Sequence, residues 1–551
     1  MADKSTQVEP KHPTEALMTQ QKAERIWRGE EAVPASYPYI APDYAVPFLH
    51  IGTQKQLFLD NFILDHFTDV TRRFPTPNRP EEPVFRVGDL PWEARGNPFP
   101  TAALHDPEED KFKLWYVIPL ADDAYGDHGQ ALCYAESRDC LHWEKPLSDQ
   151  CLPYNEQHAT NIVLLDSGHH IGLVRNHDQG DPARKYLLVY NPHHKARSLG
   201  RRTMSSVAAS PDGLRWHMIN EDTPQRHHHF QRILWDEAIQ RWIAYSQYSH
   251  HWNFLHRKRQ VGRQESADFI HWSPKEVVLS ADWDPNLPPH LEFHDMSVRK
   301  EGDLYIGLVT EFMAEPLWSV RNDTNWRDIA HARLSLYSSR DGKRWQRAGG
   351  SEPWADNRGP GSCDYGFVAP SVAGQLVHNG KTHILYNAIA DKQHWYGPPP
   401  DFPIVPDEAY QDARRAWEMR HKLTEGYPQW ERSINALILR EDGWAELRPT
   451  YETGQVITRQ FVFAGDTLRV NADCGYGFMR VELLDPQFQP YPGFAADDCD
   501  PVVGEREQVW HTVSWHGKTD VRALWNKPVR IRFALTEASL YAFQFVQENR
   551  L

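Results

Sequence analysis

Three carboxylic acids, Asp295, Asp364 and Glu311, are the candidates for catalysis in this 551-residue sequence. A carboxyl group donates a proton in its neutral form, and it accepts one or attacks a substrate in its ionised form. The two aspartates stand at the predicted starts of strands, and Glu311 continues the apolar run 307–310. A carboxylate that continues a buried strand needs a partner or a function. We therefore expect acid–base chemistry here, the alternative for the aspartates being a role in capping tight turns.

Histidines near the same predicted region indicate a second kind of site. His170, His228 and His294 would converge with the two aspartates on one axis, and imidazole with carboxylate is a ligand set for a divalent metal. The sequence has 29 histidines but no HExxH, and its HxH spacing occurs only in the run 227–229. The residues thus require no cofactor. The histidines either bind hydroxyl groups of the substrate or, as the alternative, hold a divalent metal ion on the axis.

Polar and aromatic side chains that could bind a substrate are expected around these groups. They combine two cations, one amide, three histidines and one indole. We predict as substrate-binding residues Arg95, Asn97, His170, His228, His251, Trp252 and Lys392.

A repeated turn sequence predicts the elements that position these residues. The pattern Ser-x-Asp-x-x-x-Trp occurs four times, ending at Trp143, Trp216, Trp272 and Trp345, with a degenerate copy ending at Trp444. Ser and Asp side chains bond nearby backbone amides in turns, and a Trp can pack between neighbouring units. Repeated β-units with a Trp signature predict a propeller, in which each blade buries its faces against its neighbours. The innermost strands then surround a central funnel, where we place the site.

The strand patterns divide the chain into three parts. Residues 1–53 form a polar N-terminal extension, and residues 54–449 carry the repeats and predict a five-bladed β-propeller. Residues 450–551 show strands separated by turns but no Ser/Asp/Trp pattern, and they predict a C-terminal β-sandwich. The expected fold class is all-β throughout.

Composition excludes several classes of protein. A net charge of -15 argues against nucleic acid as a partner, because phosphate binding needs a basic surface. The sequence has no run of 18 apolar residues, so we expect no membrane span, and its first residues lack an apolar segment, so we expect no signal peptide. Six scattered cysteines form neither a zinc motif nor a disulfide framework. We expect a cytoplasmic protein whose partner is a carbohydrate substrate, and the sequence leaves a homo-oligomer open.

Five blades followed by a sandwich resemble the propeller glycoside hydrolases of families 32 and 43. The Ser-x-Asp-x-x-His-Trp forms at 137–143 and 266–272 look like the blade turn of those families. A closer likeness is to uncharacterised bacterial proteins similar to family 32, which open with a segment like 56–60 and close with one like 540–545. The resemblance implies cleavage of a glycosidic bond by two carboxyl groups in the funnel. Long segments around the funnel mouth favour exo action over endo action.

The sequence departs from the family 32 motifs at the points that carry chemistry. Where those enzymes have a nucleophilic carboxylate in the first blade, this chain has 95–99, Arg-Gly-Asn-Pro-Phe, and their acid motif in the third blade is absent. The resemblance therefore implies the fold more strongly than the reaction. Three functions remain in view: a glycoside hydrolase, a metal-assisted lyase or glycoside phosphorylase, and a sugar-binding propeller without catalysis.

Overall fold

The computed structural model describes two compact units. The described residues are 48–120, 129–168, 171–192, 195, 198–199, 205–223, 232–249, 259–288, 291–314, 330–359, 361–369, 375–390, 432–504 and 507–548. The first unit joins the chain up to Pro75 with Glu301–Asp303 and Asp442–Leu551, and the second unit holds Thr76–Lys300 and Leu304–Glu441.

The all-β prediction is confirmed in the described part of the chain. The elements whose two ends are both described are strands, together with four short 3-10 turns at Pro91–Glu93, Pro182–Arg184, Ala281–Trp283 and Arg522–Leu524. No helix among the described residues is long and apolar enough to cross a membrane. The strands before the repeats are β1 (Leu49–Gly52), β2 (Gln56–Leu57), β3 (Leu64–Thr68) and β4 (Val70–Arg73).

The second unit consists of five antiparallel meanders, numbered here in chain order. The first is β5 (Phe99–Asp106), β6 (Lys111–Pro119), β7 (Gln130–Ser137) and β8 (Trp143–Glu144), with β9 (Ile162–Leu165) also paired to β7. The second is β10 (Gly172–Arg175), β11 (Tyr186–Tyr190), β12 (Ser206–Ser210) and β13 (His217–Asn220). The third is β14 (Arg232–Asp236), β15 (Arg241–Ser249), β16 (Arg259–Ser266) and β17 (Glu276–Leu279).

The fourth and fifth meanders share one eight-stranded sheet. The fourth is β18 (Leu291–Glu301), β19 (Leu304–Ala314), β20 (Ala330–Ser339) and β21 (Gln346–Arg347). The fifth is β22 (Phe367–Ala369), β23 (Gln375–His378), β24 (Lys381–Ile389) and β25 (Arg432–Arg440). A single parallel bridge between Ala332 and Phe367 joins them. β22 and β23 pair with opposite ends of β24, so together they take the place of one innermost strand.

Hydrophobic clusters connect the meanders of the second unit in cyclic order. Each meander shares a buried apolar cluster with the next one, and the fifth shares one with the first. Examples from the five clusters are Trp115 with Leu188, Val189 with Trp242, Tyr245 with Phe293, Phe312 with Phe367, and Leu385 with Leu114. A meander cannot bury both faces alone, so this order is the arrangement expected of blades in a ring.

A segment of the chain that precedes the first meander pairs with the last strand of the fifth. Asn78 bridges to Ile438 and Phe85 bridges to Ile434, both on β25. Between the two bridges, the Asn435 amide donates a hydrogen bond of 3.1 Å to the Pro80 carbonyl. Residues 76–87, called the closing segment below, therefore complete the fifth meander with chain from the N-terminal side.

The repeated turns have the local geometry that their sequence predicts. In the copy that starts at Ser266, the hydroxyl oxygen accepts hydrogen bonds from the amides of Asp268 (3.3 Å) and Phe269 (2.9 Å). Asp268 in turn accepts from the amides of Ile270 and His271, and the Trp272 indole donates to the Phe269 carbonyl at 3.2 Å. Phe269 has a φ of 67°, a conformation that is rare for a bulky residue, and the hydrogen bonds of the turn stabilise it.

The substitution Ser266→Ala is expected to lower the free energy of unfolding by about 1–3 kcal/mol, because it leaves two backbone amides without their acceptor in a tight, partly buried turn. Urea unfolding of the full chain, followed by intrinsic Trp fluorescence, measures the change. Ser351→Ala is the matched control, since Ser351 is exposed and outside the repeated turns. An equal effect of both substitutions would contradict this account of the turn.

In its described part, the first unit has two larger sheets around one hydrophobic core and a two-stranded sheet of β1 with β28 (Phe461–Phe463). Its later strands are β26 (Glu446–Pro449), β27 (Thr453–Thr458), β28 (Phe461–Phe463), β29 (Thr467–Asp473), β30 (Phe478–Leu484), β31 (Trp510–Thr512), β32 (Arg530–Thr536) and β33 (Ser539–Val546). One sheet has the order β31-β29-β33-β26-β4 with β2 on β33, and the other has the order β3-β27-β32-β30. Val470 and Phe543 of the first sheet share a core with Val481 and Phe533 of the second.

The N-terminal strands belong to this first unit, which differs from the predicted division at 53 and 449. β2 pairs with β33, β3 with β27 and β4 with β26, so residues 56–73 complete both sheets. Of the predicted extension, residues 1–47 lie outside the described residues, and β1 pairs in parallel with β28. Strand partners so distant along the chain are not visible in local periodicity, which explains the difference.

Candidate functional site

Asp295 lies on β18, where the fourth meander faces the third. Leu291 and Phe293 are fully buried in the cluster shared by these two meanders, and they alternate with Glu292 and His294. This period of two is the pattern of a strand with one apolar face. Asp295 follows directly and is 1% exposed. The strand therefore carries three ionisable side chains within four positions, with Asp295 on the face of Leu291 and Phe293 and the other two on the opposite face.

The Asp295 carboxyl group is buried without a hydrogen bond to either oxygen from the described chain. Arg232 Nη2, on β14 of the third meander, is 4.0 Å from one oxygen, and His294 Nδ1 is 4.0 Å from the other. Burial raises the pKa of Asp295, and attraction to Arg232 and the nearby Thr310 hydroxyl oppose the rise only in part. Burial also lowers the pKa of Arg232, to about 10. Burial thus shifts the equilibrium of this carboxyl group toward its neutral form, which can donate a proton.

Glu292 and His294 extend the polar surface of β18 toward the fifth meander. The Arg259 amide donates to Glu292 at 3.0 Å, its Nη1 lies 3.5 Å from the same oxygen, and its guanidinium stacks 4.7 Å above Phe312. The His294 ring lies 5.6 Å from Phe312 and 6.1 Å, edge-on, from Phe367. Ionisable groups and aromatic rings thus lie side by side, as expected of a site that binds polar molecules with apolar faces.

Glu311 is fully buried, and its contacts are those of a structural ion pair. Ser335 Oγ at 2.7 Å and Arg347 Nη1 both donate to one oxygen, and Arg333 Nε donates to the other at 3.1 Å. These partners lie on β20 and β21, next to β19 in the same meander. The catalytic role predicted for Glu311 stays a prediction, and an environment that ties three strands together does not favour it.

Asp364 is likewise fully buried, at the centre of an ionic cluster. Arg358 Nε donates to one oxygen at 2.6 Å, while Arg79 Nη1 at 2.9 Å and the Tyr386 hydroxyl at 2.7 Å donate to the other. Burial alone would raise the pKa of Asp364, but the hydrogen bonds from Tyr386 and Arg358 and the charge of Arg79 bring it below its usual value. These contacts stabilise the ionised carboxylate and give both of its oxygens hydrogen-bond donors. Its predicted catalytic role also stays a prediction.

Of the other predicted site residues, only Arg95 and Asn97 lie in the described part of the chain. Asn97 has a φ of 61°, and its amide nitrogen lies 3.3 Å from the Arg95 carbonyl; both residues are half-buried just before β5. The remaining predicted binding residues lie outside the described residues: His170, His228, His251, Trp252 and Lys392.

Only one of the three predicted metal ligands lies within the described chain. His294 is there, beside Asp295, whereas the other two predicted histidine ligands lie outside the described residues. The described residues contain no group of three His, Cys, Asp or Glu side chains that could hold a metal ion. The metal site stays a prediction, and we derive no step through it.

The sequence analysis missed two residues that face β18 from the third meander. Arg232 begins β14, and Gln247 on β15 donates a hydrogen bond of 3.0 Å to the His294 carbonyl. Both side chains are at least 95% buried, at 2% and 5% exposed. An arginine at the first position of an apolar strand was the available signal, because such a charge needs a partner.

No family model and no curated protein matches this sequence. Among solved structures, a thermostable family-43 glycoside hydrolase is 14% identical, with 64% of this chain and 93% of that chain covered and a TM-score of 0.36. A Schwanniomyces occidentalis fructofuranosidase is 10% identical, with coverages of 88% and 98% and a TM-score of 0.35. An N-acetylgalactosamine deacetylase from F. plautii is 14% identical, with coverages of 68% and 97% and a TM-score of 0.39. At such TM-scores the similarity assigns no activity.

Proposed function

We propose that this chain is a carbohydrate-active enzyme that cleaves glycosidic bonds with Asp295 as the general acid. The observation that carries the proposal is the Asp295 carboxyl group, buried on an innermost strand with neither oxygen hydrogen-bonded by the described chain. Glycoside cleavage requires an acid that stays protonated at working pH in order to protonate the leaving oxygen. The blade-turn resemblance supports a glycoside as the substrate.

The second carboxyl group that the reaction requires is assigned to Glu292 in this proposal. Glu292 is 6% exposed and pairs with Arg259, so it differs from Asp295 in charge environment. The two side chains lie on opposite faces of β18, so the assignment requires both to reach the substrate past the free edge of this strand. Two carboxyl groups with contrasting surroundings are the usual basis for dividing acid and base roles. Glu311 instead ties together three strands of the fourth meander, and Asp364 ties the closing segment to the start of the fifth meander, through their arginine partners.

Exo action, as opposed to endo action, is part of the proposal. It rests on the long sequence segments 312–329 and 394–430, which separate strands near the proposed site. An exo enzyme releases one small product from the first turnover onward. Chromatography of early products from a defined oligosaccharide tests this, because a ladder of intermediate lengths would indicate endo action.

The pH dependence of turnover tests the role of Asp295. A general acid acts only while protonated, so activity is present below the pKa of Asp295 and is lost as pH rises through it. Because burial raises that pKa, the alkaline limb of kcat/KM should lie above the usual range of an aspartic acid. The measurement is a pH–rate profile on a glycoside found by screening aryl and disaccharide substrates. A profile that rises on the alkaline side would contradict the assignment.

A further inference from the structure

Two tyrosines of the first unit are the most exposed large hydrophobic side chains in the described part of the chain. Tyr451 is 80% exposed, and Tyr476 is 70% exposed. Tyr451 precedes β27 and Tyr476 precedes β30, which are strands of one sheet. A single exposed hydrophobic residue needs no explanation, whereas several at one place mark a binding surface. The question is therefore whether the fold brings these two rings together.

The strand pairing brings the two tyrosines to either side of β32. Phe478 on β30 and Thr453 on β27 both oppose Thr536, the last residue of β32, so the three form one row across the sheet. Tyr476 lies two positions before Phe478, which is itself 37% exposed, and Tyr451 lies two positions before Thr453. Because neighbouring strands are spaced by about 4.8 Å, β30 and β27 are roughly 10 Å apart. A short oligosaccharide can cover that span.

Close backbone contacts fix the turns that carry these rings. The Glu537 amide donates a hydrogen bond of 2.8 Å to the carbonyl of Glu452, which follows the first tyrosine. Gly477 follows the second tyrosine and lies so close to β32 that a Cβ atom on it would be 1.9 Å from the Thr536 carbonyl oxygen. The turn at Glu537 is thus held between the two segments that carry the tyrosines.

An open depression lies beside the first tyrosine. Its volume is about 490 Å³, and its lining consists of Asp69, Tyr451, Glu452, Thr453 and Glu537. The three carboxyl groups are exposed, so their oxygens can accept hydrogen bonds from a ligand. No lysine, arginine or histidine of the described chain contributes to the lining. The surface therefore combines aromatic rings with hydrogen-bond acceptors and carries negative charge.

The chemistry of this surface selects one class of ligand. An aromatic ring packs on the C–H face of a pyranose, since both partners then withdraw apolar surface from water. Carboxylates accept hydrogen bonds from the hydroxyl groups around the sugar ring. The negative charge repels uronic acids and phosphates. A metal ion is not favoured, because the described residues contain no group of three His, Cys, Asp or Glu side chains that could hold one.

We propose that Tyr451 and Tyr476 form a binding site for a neutral oligosaccharide of pyranose units. Each ring stacks on one sugar unit, and Glu452 and Glu537 accept hydrogen bonds from hydroxyl groups between them. The site belongs to the first unit, whereas Asp295 belongs to the second, so binding here goes beyond the proposed cleavage reaction. The chain is expected to bind polysaccharide whether or not it cleaves it.

Affinity electrophoresis of the full chain tests the site, with arabinoxylan, galactomannan or hydroxyethylcellulose included in a native gel. We expect at least one of these neutral polysaccharides to retard migration, and polygalacturonate at the same concentration to have no effect. Tyr451→Ala and Tyr476→Ala should each weaken binding by roughly tenfold, because each removes one stacked ring. Tyr451→Phe keeps the ring and should bind within about threefold of wild type.

Controls separate a local effect from unfolding. Trp283→Ala is the matched control, since Trp283 is 60% exposed but belongs to the second unit, and it should leave retardation unchanged. Thermal unfolding of every variant shows whether it is folded. Absence of retardation by all three neutral polysaccharides would overturn the proposal, and so would unchanged retardation of folded Tyr451→Ala and Tyr476→Ala. Retardation that EDTA abolishes would assign the carboxylates to a cation and would overturn it too.

The binding site and the proposed reaction can fail separately. Asp295→Asn should keep wild-type retardation, because Asp295 is not part of this site. Retardation without turnover of any glycoside would leave the site standing and refute the proposed reaction. Turnover without retardation would refute the site and leave the reaction standing.

Discussion

Asp295→Asn is expected to lower turnover by about 10²–10⁴ on glycosides with poor leaving groups, since an amide cannot donate the proton that the leaving oxygen needs. The loss should shrink to a few-fold on aryl glycosides whose phenol leaves without protonation. This dependence on leaving group distinguishes a general acid from a nucleophile, because loss of a nucleophile slows both kinds of substrate. The measurement is kcat/KM on a series of leaving groups with one sugar.

The same substitution should leave the fold intact. Asp295 is buried in an environment that favours its neutral form, and a neutral amide of similar shape replaces it at a cost of about 1 kcal/mol or less. Asp149→Asn is the matched control, because Asp149 is exposed in the same unit. Wild-type turnover of poor-leaving-group substrates by folded Asp295→Asn would remove Asp295 from the mechanism.

Asp364→Asn is expected to have its largest effect on stability, lowering the free energy of unfolding by about 3–5 kcal/mol. The carboxylate is fully buried between Arg79 and Arg358, and its removal leaves two guanidinium groups without their counter-charge. An asparagine side chain has one acceptor oxygen where the carboxylate has two. The Tyr386 hydroxyl or one arginine therefore loses its hydrogen bond. Urea unfolding of the variant against wild type and Asp149→Asn measures the difference.

Acid should imitate this substitution in the wild-type chain. The pKa of Asp364 is lowered in the folded state, so its contribution is complete above the unfolded-state pKa and is lost as pH falls through the folded-state pKa. The stability difference between wild type and Asp364→Asn should therefore narrow toward acidic pH. A difference that stays constant with pH would show that the ionised form is not the one that stabilises the fold.

Local chemistry explains which parts of the structure could be predicted. The Ser/Asp/Trp turns follow from hydrogen bonds that span at most three residues, as between Ser266 and Phe269, so the sequence contains all their partners. The strand that carries Asp295 was predicted too, although the sequence analysis placed Asp295 at its start and the structure places it inside β18. Predictions based on such short-range patterns required no knowledge of the fold.

Long-range partners explain what could not be predicted. Arg79 and Asp364 are 285 positions apart, and nothing in the residues around either one indicates the other. Without that partner, Asp364 looked like a group available for catalysis. Arg232 and Gln247 reach β18 from another meander, and the strands β2–β4 find their partners beyond the repeats. Such pairings depend on the packing of whole sheets.

The closing segment has a consequence for how the protein is made on the ribosome. Its contacts with β25 join Pro80 to Asn435, which are 355 positions apart. At about 5–20 residues per second, translation of the chain between them takes roughly 20–70 s. During that time the first meander exposes the apolar flank that later meets Leu385 and Ile434. The nascent second unit therefore exposes apolar surface at both ends of its series of meanders. We expect chaperones that shield apolar surface to act on it until β25 emerges.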